Sequence, residues 1–521
     1  MAGKFPRARH RLPTGDRPTL AGAVFPRLPL GAGNMILPHK QAEGSETMKV
    51  AEYLAQDGVG LGELVARGEV SALELAEIAI GLIEKHNPAL NGVVQKAYDM
   101  ARAAAPGLTA GPFAGVPLLL KDINALCVGL STRQASRLFA DAVDDHDSEL
   151  TIRFKKAGFN ILAKTNAPEF GILPTTEPLF YGPARNPWNT NHSTGGSSGG
   201  SAAMVAAGCV PLAHANDGGG SIRIPAAACG LVGLKPTRAR TPLGPDLGDA
   251  LGGLVCDHVV SRTIRDTAVA LDALAGPDIG DPYWAPPPKR PFAAALEGVK
   301  RPLRVALGTT DFLGNRLHPE CLAAVEKTGK ALEAMGHHVE EGVPAAPAEM
   351  VSHAFMTLWT AGMAALAQGA PLQGGGIAGP DTLEPMTWAL VQKAGQTTAA
   401  EYVIAQVMLQ RITRFIAQFF EGVDVLVTTT LTRPPVEIGY FDVTSPDFEG
   451  TLQKAANYVN TPVFNFTGQP AISLPLHQSA DGLPVGVQIV GRFGDEDTLI
   501  ALGADLERAL PWADRKPPIW G

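Results

Sequence analysis

Cysteine is scarce in this chain of 521 residues, and neither sign of charge dominates it. The five cysteines, Cys127, Cys209, Cys229, Cys256 and Cys321, are odd in number, widely spaced and never arranged as C-x-x-C. That excludes a disulfide framework and a zinc ribbon, and it fits a reducing, cytoplasmic setting. Each cysteine reads instead as a small core residue. No apolar run approaches bilayer-spanning length, so no membrane association is expected. Net charge is −8, without the basic excess of a nucleic-acid binder. What remains is an ordinary folded composition, 45% hydrophobic and 18% charged, long enough for several domains or one oversized α/β domain.

The first 47 residues carry Lys4, Arg7, Arg9, Arg11, Arg17 and Arg27, and prolines interrupt the one apolar stretch near Leu20 to Phe25. Without a continuous apolar segment this reads as a poor signal peptide. Residues 1–47 are expected to be disordered or a non-native extension, with organised structure starting at Met48. Ser71-Ala72-Leu73-Glu74 is a capping box opening an apolar-periodic helix, expected to stop before Asn87-Pro88. A second helix is expected over about Gln95 to Ala105. Pro117 to Lys121 reads as a buried strand ending in a lysine, and Asn160 to Lys164 as another. Helices are expected at Leu150 to Ala157, Arg265 to Ala275, Pro319 to Met335 and Asp495 to Leu510. Further strands are expected at Leu303 to Gly308 and Val423 to Thr429. Ala471 to Leu474 and Val485 to Val490 should pair through Asp481-Gly482. This alternation implies an α/β fold, with one mixed or mostly parallel sheet covered by helices on both faces. Residues 350–420 read as helices with a heavy apolar load (Phe355, Trp359, Met363, Trp388), suited to walling a cleft. His337-His338 lacks a third ligand at sensible spacing, so no metal is expected.

The chain concentrates its glycine between Asn191 and Gly233. Two glycine-serine knots, Gly195 to Gly200 and Gly218 to Ser221, flank an apolar segment from Ala202 to Ala213. Flexible linkers would not be separated and followed by apolar segments. Glycines before a serine can instead aim several N–H groups at one point, as an oxyanion hole requires. The literal G-x-S-x-G centred on Ser197 lacks the buried strand that a nucleophile elbow needs before it. Neither knot continues as Gly-Lys-Ser/Thr or matches G-x-G-x-x-G, so no nucleotide cofactor is implied.

Lys121 after Pro117-Leu118-Leu119-Leu120, the Gly-Gly-Ser-Ser-Gly-Gly knot, and Asp217-Gly-Gly-Gly-Ser221-Ile222-Arg223 through Thr237 together resemble the amidase signature family. Lys164-Thr165-Asn166 and the stretch from Gly468 to Gln488 extend the similarity from about Tyr53 to Pro511. The resemblance implies the amidase-signature fold over a single catalytic domain, 48–521. It also implies a Ser–Ser–Lys triad without cofactor: Ser221 as nucleophile, Ser197 in a cis peptide after Gly196 as relay, Lys121 as base. The N–H groups of Gly218, Gly219, Gly220 and Ser221 would hold the oxyanion, with Asp217 and Arg223 as buried supports of the loop.

Two positions depart from the usual pattern. Gly218 stands where many members have threonine or isoleucine, and Asn216 where threonine or serine is usual. Ala184 to Asn189, Ala213 to Asp217, Lys235 to Arg238 and Val463 to Asn465 are most similar to the 6-aminohexanoate cyclic-dimer hydrolase (nylon oligomer) branch. The expected activity is hydrolysis of small apolar linear, cyclic or aryl amides, with carbamates as a further class and homodimer formation left open. The competing expectation is the A subunit of a glutamine-dependent tRNA amidotransferase.

Overall fold

The computed structural model describes residues 47–344, 348–445 and 447–521. Of the expected extension 1–47, all but Thr47 lies outside them. Thr47–Gly521 forms one compact unit.

Thirteen strands occur among the described residues. β1 (Val93–Lys96), β2 (Pro117–Lys121) and β3 (Asn160–Thr165) make a three-stranded sheet in the order β1-β3-β2. β4 (Arg185–Asn186) and β5 (Asn189–Ser193) form a small ribbon. The main sheet uses β6 (Leu212–Asp217), β7 (Val232–Lys235), β8 (Cys256–Ser261), β9 (Arg304–Leu307), β10 (His338–Glu341), β11 (Val425–Thr429), β12 (Ala471–Gln478) and β13 (Pro484–Val490). Its order is β10-β9-β11-β13-β12-β7-β8-β6. Only β10/β9 and β9/β11 run parallel, so the sheet is mixed and mainly antiparallel.

Alternation along these strands builds two cores. Val305, Val425, Val427, Ile472 and Ile489 join one cluster with the helices Ile264–Leu274, Pro319–Ala334 and Glu496–Ala509. Their neighbours Ala306, Leu426, Ala471 and Val490 join another with the helices Ala399–Gly422 and Val463–Thr467. Side chains of successive strand residues point to opposite faces, so helices must cover both.

The capping box closes as expected, with Ser71 Oγ accepting from the Glu74 N–H at 3.1 Å. The helix nevertheless runs through Pro88 to Leu90. Near a helix end the missing proline donor removes only one bond. Asn87 also braces the exit by pairing both amide atoms with the backbone of Val93. The helix expected from Gln95 begins only at Tyr98, because Gln95 is held in β1 by its pairing with β3. The helix-and-turn segment Glu349–Gln373 is long and apolar enough to cross a membrane, which corrects the sequence reading. Ala354, Leu358, Trp359, Met363 and Ala367 bury its apolar side inside the protein.

Candidate active site

β2 carries Lys121 at its end and lies beside β6, the edge of the main sheet. There the Lys121 backbone N–H donates to His214 Nδ1 at 3.2 Å. This docking buries Lys121 completely and sends its side chain to the first glycine knot. Lys121 Nζ lies 2.7 Å from Ser197 Oγ and 2.5 Å from Asn216 Oδ1. Burial disfavours the ammonium form and lowers the lysine to about 7, although the charges of Asp257 and Asp217 act in the opposite direction.

Ser197 is 2% exposed and follows a cis peptide from Gly196. The knot is a close-packed element: a Cβ on Gly196 would overlap the backbone of Thr175, and one on Gly200 the backbone of Asn166. From Gly199 the chain enters the helix Gly199–Ala206, then β6, so the segment expected only to be apolar is a helix followed by a strand. β5, just before the knot, pairs with β4 in the ribbon and bridges Glu437 through His192, and all of it but Ser193 is exposed or half-exposed, unlike the buried strand of a nucleophile elbow.

Ser221 sits between β6 and the helix Arg223–Cys229, and it lines the same cavity as Ser197, Asn216 and Gly218. The loop is clamped from beneath. Arg223 and Asp217 are both fully buried and form two 2.9 Å contacts, through Nε and Nη2. Arg223 also donates to Thr461 O (3.0 Å), Gln488 Oε1 (2.7 Å) and Asn465 Oδ1 (2.7 Å). Burial alone would raise the Asp217 carboxyl, but Arg223 and Asn465 overcome it and hold Asp217 at about 2. The N–H groups expected to hold the oxyanion divide into two kinds here. The Gly220 N–H donates to Asp217 Oδ1 at 2.7 Å and so is tied to the clamp. Those of Gly218, Gly219 and Ser221 have no acceptor among the described residues.

The cavity over these groups measures about 870 Å³. Ile123, Phe139, Phe170, Leu251, Trp359 and Met363 supply apolar wall. Trp359 comes from the helix Ala348–Gly369 and stacks on Phe355 with ring centres 5.1 Å apart. Five aspartates (Asp144, Asp145, Asp246, Asp249 and Asp257) also line the cavity, with no lysine or arginine among the described lining residues. Sequence reasoning did not anticipate His214, Asp257 or the contact made by Asn216. The only signal was the departure at Asn216. Lys164 is buried elsewhere, donating to Thr132 Oγ1 at 2.7 Å, and His337 Nδ1 accepts from the Leu303 N–H at 3.1 Å.

Comparison with known proteins places the chain in a family. The Amidase family profile matches residues 74–500. The 6-aminohexanoate-cyclic-dimer hydrolase of Paenarthrobacter ureafaciens is 39% identical, over 89% of this chain and 97% of that protein. A solved structure of 6-aminohexanoate cyclic dimer hydrolase complexed with substrate superposes with a TM-score of 0.85 at 37% identity, covering 90% of this chain and all of that one. A bacterial aryl acylamidase gives 0.81 at 30%, with 88% and 97% covered. The A subunit of the Thermotoga maritima glutamyl-tRNA(Gln) amidotransferase is more distant, at 0.71 and 25%, with 90% and 98% covered. Sequence and fold together make this chain a member of the amidase signature family, a hydrolase acting on carbon–nitrogen amide bonds.

Proposed function

We propose that the enzyme is a serine amidohydrolase in which Ser221 attacks the scissile carbonyl, Ser197 relays the proton and Lys121 is the base. The observation that carries this reading is the 2.7 Å contact of Lys121 Nζ with Ser197 Oγ in fully buried surroundings. With its lysine lowered to about 7, the amine has a free lone pair near neutral pH. As Ser221 Oγ bonds to the carbonyl carbon, its proton passes to Ser197 Oγ, whose own proton passes to Lys121 Nζ. The carbonyl oxygen becomes an oxyanion held by the N–H groups of Gly218, Gly219 and Ser221. When the C–N bond breaks, the proton returns from Lys121 through Ser197 to the leaving nitrogen. Water, activated by the same relay, then releases the acyl group.

The cavity supports neutral, apolar amides as substrates: linear, cyclic or aryl. The cyclic dimer of 6-aminohexanoate, named for the relatives, is one such uncharged ring, and carbamates offer Ser221 the same carbonyl. A free glutamine would bring its carboxylate to a wall with five aspartates and no lysine or arginine among the described lining residues, which disfavours the amidotransferase reading. Five buried free thiols suit a cytoplasmic enzyme. Ser221→Ala is expected to lower kcat/KM by at least about 10³-fold across anilides, cyclic and linear aminohexanoate oligomers and carbamates. A fluorophosphonate should label Ser221. Retained activity, or a label on another residue, would overturn the assignment.

A further inference from the structure

Lys121 is held at both ends of its structure, and only one end belongs to the serine relay. Its backbone N–H is a donor, so His214 Nδ1 must be the acceptor. The ring proton is thereby placed on Nε2, which lies 2.9 Å from Asp257 Oδ1. His214 is fully buried and Asp257 is 2% exposed. Asp257 Oδ2 has no hydrogen-bond partner among the described residues, so part of its charge is left uncompensated by donors. Sheet register brings this carboxylate to the amine. Asp257 on β8 pairs with Asn216 on β6, and Asn216 Oδ1 is a partner of Lys121 Nζ. Residues directly opposed across a ladder share a face, as do His214 and Asn216 two positions apart. All three side chains therefore serve the side of β6 that meets β2.

We propose that the buried His214–Asp257 pair is a positioning device for Lys121: the imidazole anchors its backbone and the carboxylate faces its amine. The proposal rests on the reading of Lys121 as base. A neutral imidazole suits the anchor, since burial lowers His214 and outweighs the pull of Asp257. The charges around Lys121 are Asp257 from β8 and Asp217 from β6, with Lys164 of β3 acting on His214. Asp122 follows Lys121 in the chain, and its carboxylate is taken up by the Arg133 and Ala135 N–H groups. Asp257 favours the ammonium form and thus sets how alkaline the solution must be before the base is free.

The test is the pH profile of kcat/KM on an anilide, which has no titrating group of its own. Asp257→Asn keeps an acceptor for His214 Nε2–H but removes the charge. Its acid limb should move down by about one pH unit. His214→Asn should lower kcat about tenfold at unchanged KM. A folded Asp257→Asn enzyme with the wild-type limb would overturn the proposal. Lys121→Met separates the two readings: if it remains active the base assignment itself fails, and if it is inactive while Asp257→Asn shows no shift, only the pair fails. Should Asp257→Asn not fold, ¹⁵N-histidine spectra of the wild-type enzyme decide. A ring with bare Nδ1 and a strongly deshielded Nε2–H, untitrated between about pH 5 and 9, is expected, and its absence overturns the pair.

Discussion

A lysine ammonium is among the side-chain groups that water solvates best, so Lys121 loses a large hydration energy where it sits. The protein answers with neutral partners, Ser197 and Asn216, and the chemical result is an amine that is free near pH 7. The direction of the pH effect follows. Below about 7 the lysine is protonated and cannot accept from Ser197, so kcat/KM should fall about tenfold per pH unit. Above about 7 it should level off. A pH–rate profile on a neutral amide measures this, and a maximum near pH 5 would contradict it.

Between secondary-structure elements, the decisive contact is the helix Ala348–Gly369 lying over the second glycine knot. A Cβ on Gly218 would meet Trp359 and Val255 at 3.4 Å, which alanine tolerates and a larger side chain does not. The φ of Gly218 is not positive, so the indole decides this glycine and not the backbone. Gly218→Ala should therefore keep activity within about threefold. Gly218→Thr should raise KM for aryl amides about tenfold, by displacing Trp359. Adding Trp359→Ala should recover part of that loss, a coupling that a double-mutant cycle in KM would measure.

Across the whole molecule, the Asp217–Arg223 pair joins parts of the chain hundreds of residues apart: β6, the helix after Ser221, Thr461, Asn465 and Gln488 on β13. Asp217 has its carboxyl lowered to about 2 from an unfolded value near 3.8. Its contribution is complete above the unfolded value and is lost as pH falls through about 2. Its size is about 2 kcal/mol. Urea unfolding of the wild type and Asp217→Asn at pH 5 and pH 2 should show their stability difference shrinking by about that amount. At neutral pH, Arg223→Leu should be the more damaging change, by about 3–5 kcal/mol, because it strands a buried carboxylate.

Much of this was legible in the chain before any coordinates. The Ser71 box, the apolar runs of β2, β3 and β11 and the turn at Asp481-Gly482 are local signals, and each became the element expected. The glycine knots were legible because close backbone approach admits few residue types, and Lys121 stood out only through the family resemblance of the motifs around it. What stayed hidden depends on partners distant in sequence. Pairing with β3 turned Gln95 from helix to strand, and the reach of Asp217 tied down the Gly220 N–H. The strands that carry His214 and Asp257 were not expected from the sequence, and the link of both residues to Lys121 exists only where β2, β6 and β8 come together. The order of residues was enough to set the chemistry available, because residue type fixes what can donate, accept or attack. Which N–H groups stay free and which charges face Lys121 waited on the folded chain, because burial and cross-strand register are properties of packed neighbours.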